Sequence, residues 1–285
     1  MARYNGKHII GNVGPVTYRR SKKGGIISSR VKDVQQTEAT KKSAKFFGGV
    51  ASFAKVLRSN MSSVGQQDTT LMTRLNKEML AVLLQCYDKE TKTFNFQDSH
   101  FSRLNGMEFN IYSPLKSYLW PLPAVSLQRN QLTVSIPDLI VAGHIKFPAG
   151  ATHCQIHIQP IQYDLDGGHV QRTAKTKMMI MRSDEHFAAR DLIFDVAPGT
   201  LCVVALGLHY FRAEEEMHIL LNTPDFSPSA FLFAEFDHGV FAEKLFTVTK
   251  TKSDGVDLVK KEIFWAGCHA GFPIQKEAKR SNGQG

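Results

Sequence analysis

Leu192-Ile-Phe-Asp-Val-Ala-Pro-Gly-Thr-Leu-Cys-Val-Val-Ala-Leu-Gly-Leu-His-Tyr210 is the stretch whose reading decides the fold. Two runs of β-branched and aromatic residues flank a Pro-Gly break, and nothing in them repeats at helical spacing. The same texture extends outward in both directions. Upstream come Thr93-Phe-Asn-Phe96, Met107-Glu-Phe-Asn-Ile-Tyr112, Leu132-Thr-Val-Ser-Ile136, Thr152-His-Cys-Gln-Ile-His-Ile158 and Lys177-Met-Met-Ile-Met181. Downstream lie Met217-His-Ile-Leu-Leu221 and Lys244-Leu-Phe-Thr-Val-Thr249, and Asp164-Leu-Asp-Gly-Gly168 is a hairpin signal. Short strands without intervening helical patterns argue for an antiparallel β-sandwich rather than a parallel α/β sheet. Residues 91–275 are assigned to this body, and the polar residues 276–285 to a disordered tail.

Before the body, the periodicity changes. Thr37 is placed to cap a helix whose first turn carries Glu38. Phe46, Val50, Phe53 and Leu57 then form one apolar stripe, which Gly48-Gly49 interrupt, favouring a bend or close backbone packing. After the linker Ser62-Ser-Val-Gly-Gln-Gln67, Asp68 or Thr69 caps a second helix striped by Leu71, Leu75, Met79, Val82 and Cys86. Residues 37–90 therefore read as an αα-hairpin that needs a surface to pack on. The fold class expected is α+β, mainly β: an extended N-terminal arm or β-hairpin, an αα-hairpin, then the sandwich.

Charge is concentrated at one end. The first sixty residues hold thirteen Lys and Arg against Asp33 and Glu38, a surplus of eleven. The whole chain carries +9, so the other 225 residues are nearly neutral at −2. Within the arm, residues 1–36, Pro15-Val-Thr-Tyr-Arg-Arg20 and Ile26-Ile-Ser-Ser-Arg-Val31 are β-prone, joined by the turn chemistry of Ser21-Lys-Lys-Gly-Gly25. An isolated two-stranded hairpin is marginal in water, so these segments must join a larger sheet.

Several of these segments together resemble a family of uncharacterised Bacteroidota proteins of similar length. They are Thr17-Tyr-Arg-Arg-Ser-Lys-Lys-Gly-Gly25, the helix from Gln36 to Arg58, Arg74-Leu-Asn-Lys-Glu-Met79, Met107-Glu-Phe-Asn110, Val134-Ser-Ile-Pro-Asp138, Phe147-Pro-Ala-Gly-Ala-Thr152 and Leu206-Gly-Leu-His-Tyr-Phe211. The resemblance implies a shared architecture and carries no catalytic residues, because the family has no established activity.

No phosphate-binding loop, dinucleotide fingerprint or nucleophile elbow is present. Gly11-x-x-Gly14 reads as a turn. His153 and His157 share a strand face but sit roughly 13 Å apart, too far for a common metal ion, and read as surface or interface imidazoles. Asp164 with Asp166, and Glu214-Glu-Glu216, read as solvated turns; Cys268-His269 and His186 lack companions at ligand spacing. Cys86, Cys154, Cys202 and Cys268 are widely spread among apolar neighbours, as reduced buried thiols are. No apolar run approaches the roughly 20 residues of a membrane span, and no signal-peptide pattern follows Met1, so a cytoplasmic location is expected.

No enzyme, catalytic residue, cofactor or metal site is expected. The reading is a structural, self-assembling protein whose arm docks on neighbouring subunits of a homo-oligomer, filament or shell. Val16, Tyr18, Ile26 and Ile27 are its contact residues, because a solvated tail has no need of alternating apolar positions. The alternative is a nucleic-acid-binding protein, including a coat-protein-like role, in which Arg19, Arg20, Lys22, Lys23, Arg30 and Lys32 neutralise phosphates of DNA or RNA and Tyr18 stacks on a base.

Overall fold

The structure, a computed structural model, describes residues 2–4, 6–21, 24–29, 36–96, 100–128, 130–173, 175–215, 217–239, 262–263, 272 and 274. The expected strand at 244–249, the tail 276–285 and Cys268 lie outside the described residues. The chain divides into two compact units, Met1–Phe46 and Phe47–Gly285.

The first unit is a small antiparallel meander: β1 (Arg3–Tyr4), β2 (Ile9–Val13), β3 (Val16–Ser21) and β4 (Gly24–Ser29), in that spatial order. Val13 pairs with Val16 across a two-residue turn that Gly14 opens at φ +56°, a backbone conformation glycine adopts without steric cost. The arm is thus a four-stranded sheet built from residues 3–29 alone, not a single extended segment. Gly11, expected in a turn, instead lies inside β2 opposite Tyr18.

Helix α1 (Glu38–Met61) begins in this unit and continues into the second. Thr37 caps it as its sequence implies: Thr37 Oγ1 accepts from the Thr40 amide at 3.2 Å, and Glu38 pairs with Lys41. The two glycines do not end the helix, and Gly48 faces open space. Helix α2 (Leu71–Cys86) buries the expected stripe plus Leu83. Its start is organised by Asp68, whose Oδ1 accepts from Leu71 N at 2.9 Å while Oδ2 accepts from Arg74 at 2.8 Å and Ile111 N at 3.0 Å. Burial alone would raise this carboxyl. Hydrogen bonds from Thr70 and Ile111, with the Arg74 charge, outweigh it and hold the group below the usual range. Among the described residues, no helix is long and apolar enough to cross a membrane.

The body is mainly β and antiparallel, as expected. Its spine is β8 (His153–Asp164) paired along eleven residues with β13 (Leu201–Glu214). Beyond β8 lie β9 (His169–Arg172), β10 (Thr176–Met181) and β16 (Glu262–Ile263); beyond β13 lie β14 (Met217–Leu220) and β15 (Ser229–Phe236). A second sheet holds β12 (Arg190–Asp195), β6 (Gln131–Ile136) and β5 (Ala124–Gln128) in that order. A two-stranded pair, β7 (Leu139–Ile140) with β11 (His186–Phe187), completes the strands described. Leu132, Val134 and Ile136 meet Cys154, Ile156, Ile158, Cys202, Val204, Leu206, Leu208 and Tyr210 in one buried cluster between the sheets. Cys86, Cys154 and Cys202 are buried, and burial pushes the thiols of the last two up to about 12.

The spine's opposite face is also covered, which explains the unbroken apolar run of β13. Phe53 of α1 meets Tyr163 edge-on at 5.7 Å, and Asn60 donates to the Tyr163 hydroxyl. The linker after α1 lies directly on the sheet. A Cβ at Gly207 would run into the carbonyl of Val64, so this position admits no side chain. Gly207→Ala should therefore cost roughly 2 kcal/mol or more by forcing the linker off the sheet. Gly48→Ala, in an exposed helical turn with free space around it, should add about 1 kcal/mol. Urea unfolding of both variants measures the contrast, and equal effects would refute the docking contact.

Candidate functional site

The amino-terminal sheet is where the sequence placed function, and its geometry differs from an ordinary sheet in one respect. None of its described residues is buried. Pairing register sorts them into two faces. Tyr4, Ile9, Val13, Val16, Tyr18, Arg20 and Ile27 share one; Arg3, Ile10, Asn12, Thr17, Arg19, Ile26 and Ser28 share the other. Two side-chain hydrogen bonds tie the second face together, Thr17 to Asn12 at 2.8 Å and Arg19 to Ser28 at 3.2 Å. The first face is aromatic and aliphatic with its apolar groups in water: Tyr4 is 71% exposed and Ile27 68%.

The sheet curls around a hollow of about 350 Å³ lined by Tyr4, Lys7, His8, Ile9, Tyr18, Arg19, Arg20, Gly25, Ile26 and Ile27. Five of the residues singled out from sequence border it, Tyr18, Arg20 and Ile27 from the first face and Arg19 and Ile26 from the second. Val16 lies on the apolar face, half-buried, outside the hollow's lining. Lys22, Lys23, Arg30 and Lys32 lie outside the described residues. Sequence reasoning did not single out Tyr4, Lys7, His8 or Ile9 as one group with these. The signal available was a second hairpin, since Ile9-Ile-Gly-Asn-Val13 precedes Gly14-Pro15 and a further β-prone run.

A second cluster of chemistry-bearing side chains sits on the spine. His153 and His157 do share a face of β8, but they are buried, at 1% and 4% exposure, not surface imidazoles. The reason is tertiary: the α1–α2 linker lies on the sheet at Gly207 and His209, beside His157, while Phe211 and His218 pack on His153. His157 stacks on His209 with ring centres 3.8 Å apart, and His153 stacks on Phe211 at 5.2 Å. His209 Nε2–H donates to the Val64 carbonyl at 2.8 Å, and Lys175 donates to the Ser63 carbonyl at 3.0 Å. These bonds satisfy backbone carbonyls of the linker just past the end of α1. His157 Nε2 meets Gln155 Oε1 at 3.1 Å, while its Nδ1 is buried without a hydrogen-bond partner. Asp164 is likewise buried instead of solvated. It organises its turn by accepting from Asp166 N, Gly167 N and His169 Nδ1, at 3.1, 3.0 and 2.8 Å. Glu214 and Glu215 are exposed at the β13–β14 turn. Among the described residues, no group of three His, Cys, Asp or Glu side chains is arranged to hold a metal ion.

Compared with known proteins, the chain matches no family model, no curated protein and no solved structure.

Burial, then the neighbouring His209, Lys175 and Lys177, pull the His157 imidazole down to about 3. His209 is lowered as well, by burial and the same lysines, against the Val64 carbonyl that favours its charged form. Both rings are neutral in the folded protein at pH 7. Unfolding returns His157 to its ordinary value near 6.5, so the unfolded chain binds the extra proton first as pH falls. Stability is thus fully present above about pH 6.5 and is lost progressively between there and about 3. The expected loss is about 1.4 kcal/mol per pH unit from this residue alone. Denaturant unfolding from pH 7.5 to 5 should show the slope, and His157→Gln should flatten it. An unchanged slope in His157→Gln would remove the linker-facing stack as its cause.

Proposed function

We propose that this protein is a non-enzymatic structural protein that assembles with copies of itself through its amino-terminal sheet. One observation carries the reading: a four-stranded sheet with no buried residue presents Tyr4, Ile9, Val13, Ile26 and Ile27 to solvent. Sheets gain stability by burying a face against another layer. Four of these, Tyr4, Ile9, Val13 and Ile27, share one face, and such a cluster on so small a unit marks an interaction surface, not scattered surface residues. Each would contribute about 1.5–3 kcal/mol on full burial. A homo-oligomer, filament or shell is the outcome of such a contact.

A second reading rests on the hollow itself. Tyr4 and Tyr18 stand beside Lys7, Arg19 and Arg20 there, and no carboxylate occurs in the chain before Asp33. Aromatic rings among cations are what a single-stranded nucleic acid uses, by stacking and phosphate neutralisation.

Light scattering across concentration and salt separates the two. Val16, Tyr18, Ile26 and Ile27 changed together to Ser should abolish assembly while leaving the charge untouched. Arg19, Arg20, Lys22 and Lys23 changed to Ala should weaken it less. A full-length protein that stays monomeric at high concentration, with and without nucleic acid, would end the assembly proposal. In the second reading, binding to single-stranded DNA weakens with salt at a slope of about −0.7 per phosphate neutralised, and the four-Ala variant flattens that slope by several units. Absence of binding at low salt would eliminate it.

A further inference from the structure

Assembly needs an acceptor as well as a donor, and the open strand edges of the body differ enough to choose one. Resting on the self-assembly reading above, we propose that the outer edge of β12 in one copy receives the outer edge of β4 from another. The donor is specified by the first unit. Its two edge strands are β1, two residues long, and β4, six residues long, with Gly24-Gly25 leaving the backbone bare and Ile26 and Ile27 exposed at 48% and 68%. A long, flat, apolar edge with no charged side chain is a template for pairing with another strand.

On the body, the edge of β15 is already closed. Met107 and Phe109 exchange backbone hydrogen bonds with Phe231 and Ser229 at 2.7–3.0 Å. The edge of β10 is open but basic: Lys175 precedes it, Lys177 lies within it and Arg182 follows it, so it repels a donor sheet bearing only cations. β14 has four residues, and β5 has five and no charge. β12 alone among the described edges combines length with acidity. It has six residues and pairs as a strand with β6 alone, and only at its end is the edge engaged, where the Asp195 carbonyl accepts from Gln162 at 2.8 Å. Its outward-facing row is Asp191, Ile193 and Asp195, all exposed, with Ile193 at 59%. The one cation on the strand, Arg190, is turned over the Phe187 ring at 4.4 Å. An apolar hollow of about 430 Å³, walled by Pro121, Leu122 and Pro137, opens beside Asp191 and gives an isoleucine side chain a seat. Opposite charge fixes the partner, the two strands are of equal length, and one exposed isoleucine of β4 meets Ile193 across the seam.

Donor and acceptor are different surfaces, so the contact is head-to-tail and grows into a ring or a filament instead of stopping at a twofold dimer. That property supplies the test. Ile26→Asp with Ile27→Asp disables the donor, and Asp191→Lys with Asp195→Lys disables the acceptor, both in the full chain. Each variant alone should be monomeric by light scattering, and an equimolar mixture should give a 1:1 dimer that grows no further. Independently, mixing Ile27→Cys with Ile193→Cys protein under mild oxidation should give a disulfide-linked pair containing one chain of each. Circular dichroism checks that each variant is folded, and the cysteine pair keeps the test decisive should a charge variant unfold. If wild-type assembles while the acceptor variant assembles equally well, or if Ile27→Cys chains link only to one another, this contact is wrong and the self-assembly reading survives. If wild-type does not assemble at all, the self-assembly reading itself falls.

Discussion

The α1–α2 linker lies on the sheet at Gly207, and the helical layer depends on that contact. There the Val64 carbonyl occupies the space a side chain would fill and accepts a hydrogen bond from His209 at 2.8 Å. A buried carbonyl without such a donor would cost free energy comparable to a lost hydrogen bond. His209 meets that demand for Val64 and Lys175 meets it for Ser63, while Gln155 engages the neighbouring His157. The compromise is electrostatic. Imidazoles confined with Lys175 and Lys177 must stay neutral, and the orphaned Nδ1 of His157 shows that this polar cluster is not fully satisfied.

The two units solve the problem of apolar surface in opposite ways. In the body both faces of the spine are covered, one by the three-stranded sheet and one by the helices and linker. β13 consequently reads as a continuous apolar run from Leu201 to Leu208, whereas β8 alternates His and Gln with apolar residues and turns the polar set to the helix side. In the first unit the alternation is clear, yet neither face is covered. Tyr4, Ile9, Val13 and Ile27 are exposed on one face, Ile10 and Ile26 on the other, and no carboxylate precedes Asp33, so the sheet offers apolar and cationic groups to any surface it meets.

Edge management follows the same division. The body closes the edge of β15 with the segment around Glu108, and lines the edge of β10 with lysines, both ordinary ways to prevent strand addition. β4 has neither device, and β12 carries aspartates, which repel other acidic edges but attract a basic one.

The sequence by itself determined the element types. Periodicity marked both helices and the residues they bury, Thr37 and Asp68 marked their starts, and the Pro-Gly and Asp-Gly breaks separated antiparallel strands. These are local properties: helical spacing, capping and turn chemistry act over a few neighbours and are written in consecutive residues. The grouping of Tyr18, Arg19, Arg20, Ile26 and Ile27 was legible in part, because a hairpin fixes its own register. Tyr4, Lys7, His8 and Ile9 joined them only once a further hairpin folded back. The fate of the histidines was not legible at all. The spacing of His153 and His157 placed them correctly on one face of a strand, but whether that face meets water or a helical layer depends on residues some ninety positions away. Burial is a property of the packed molecule. The sequence set which side chains share a face, and tertiary packing decided that the histidine face is covered while that of Tyr4 and Ile27 stays open.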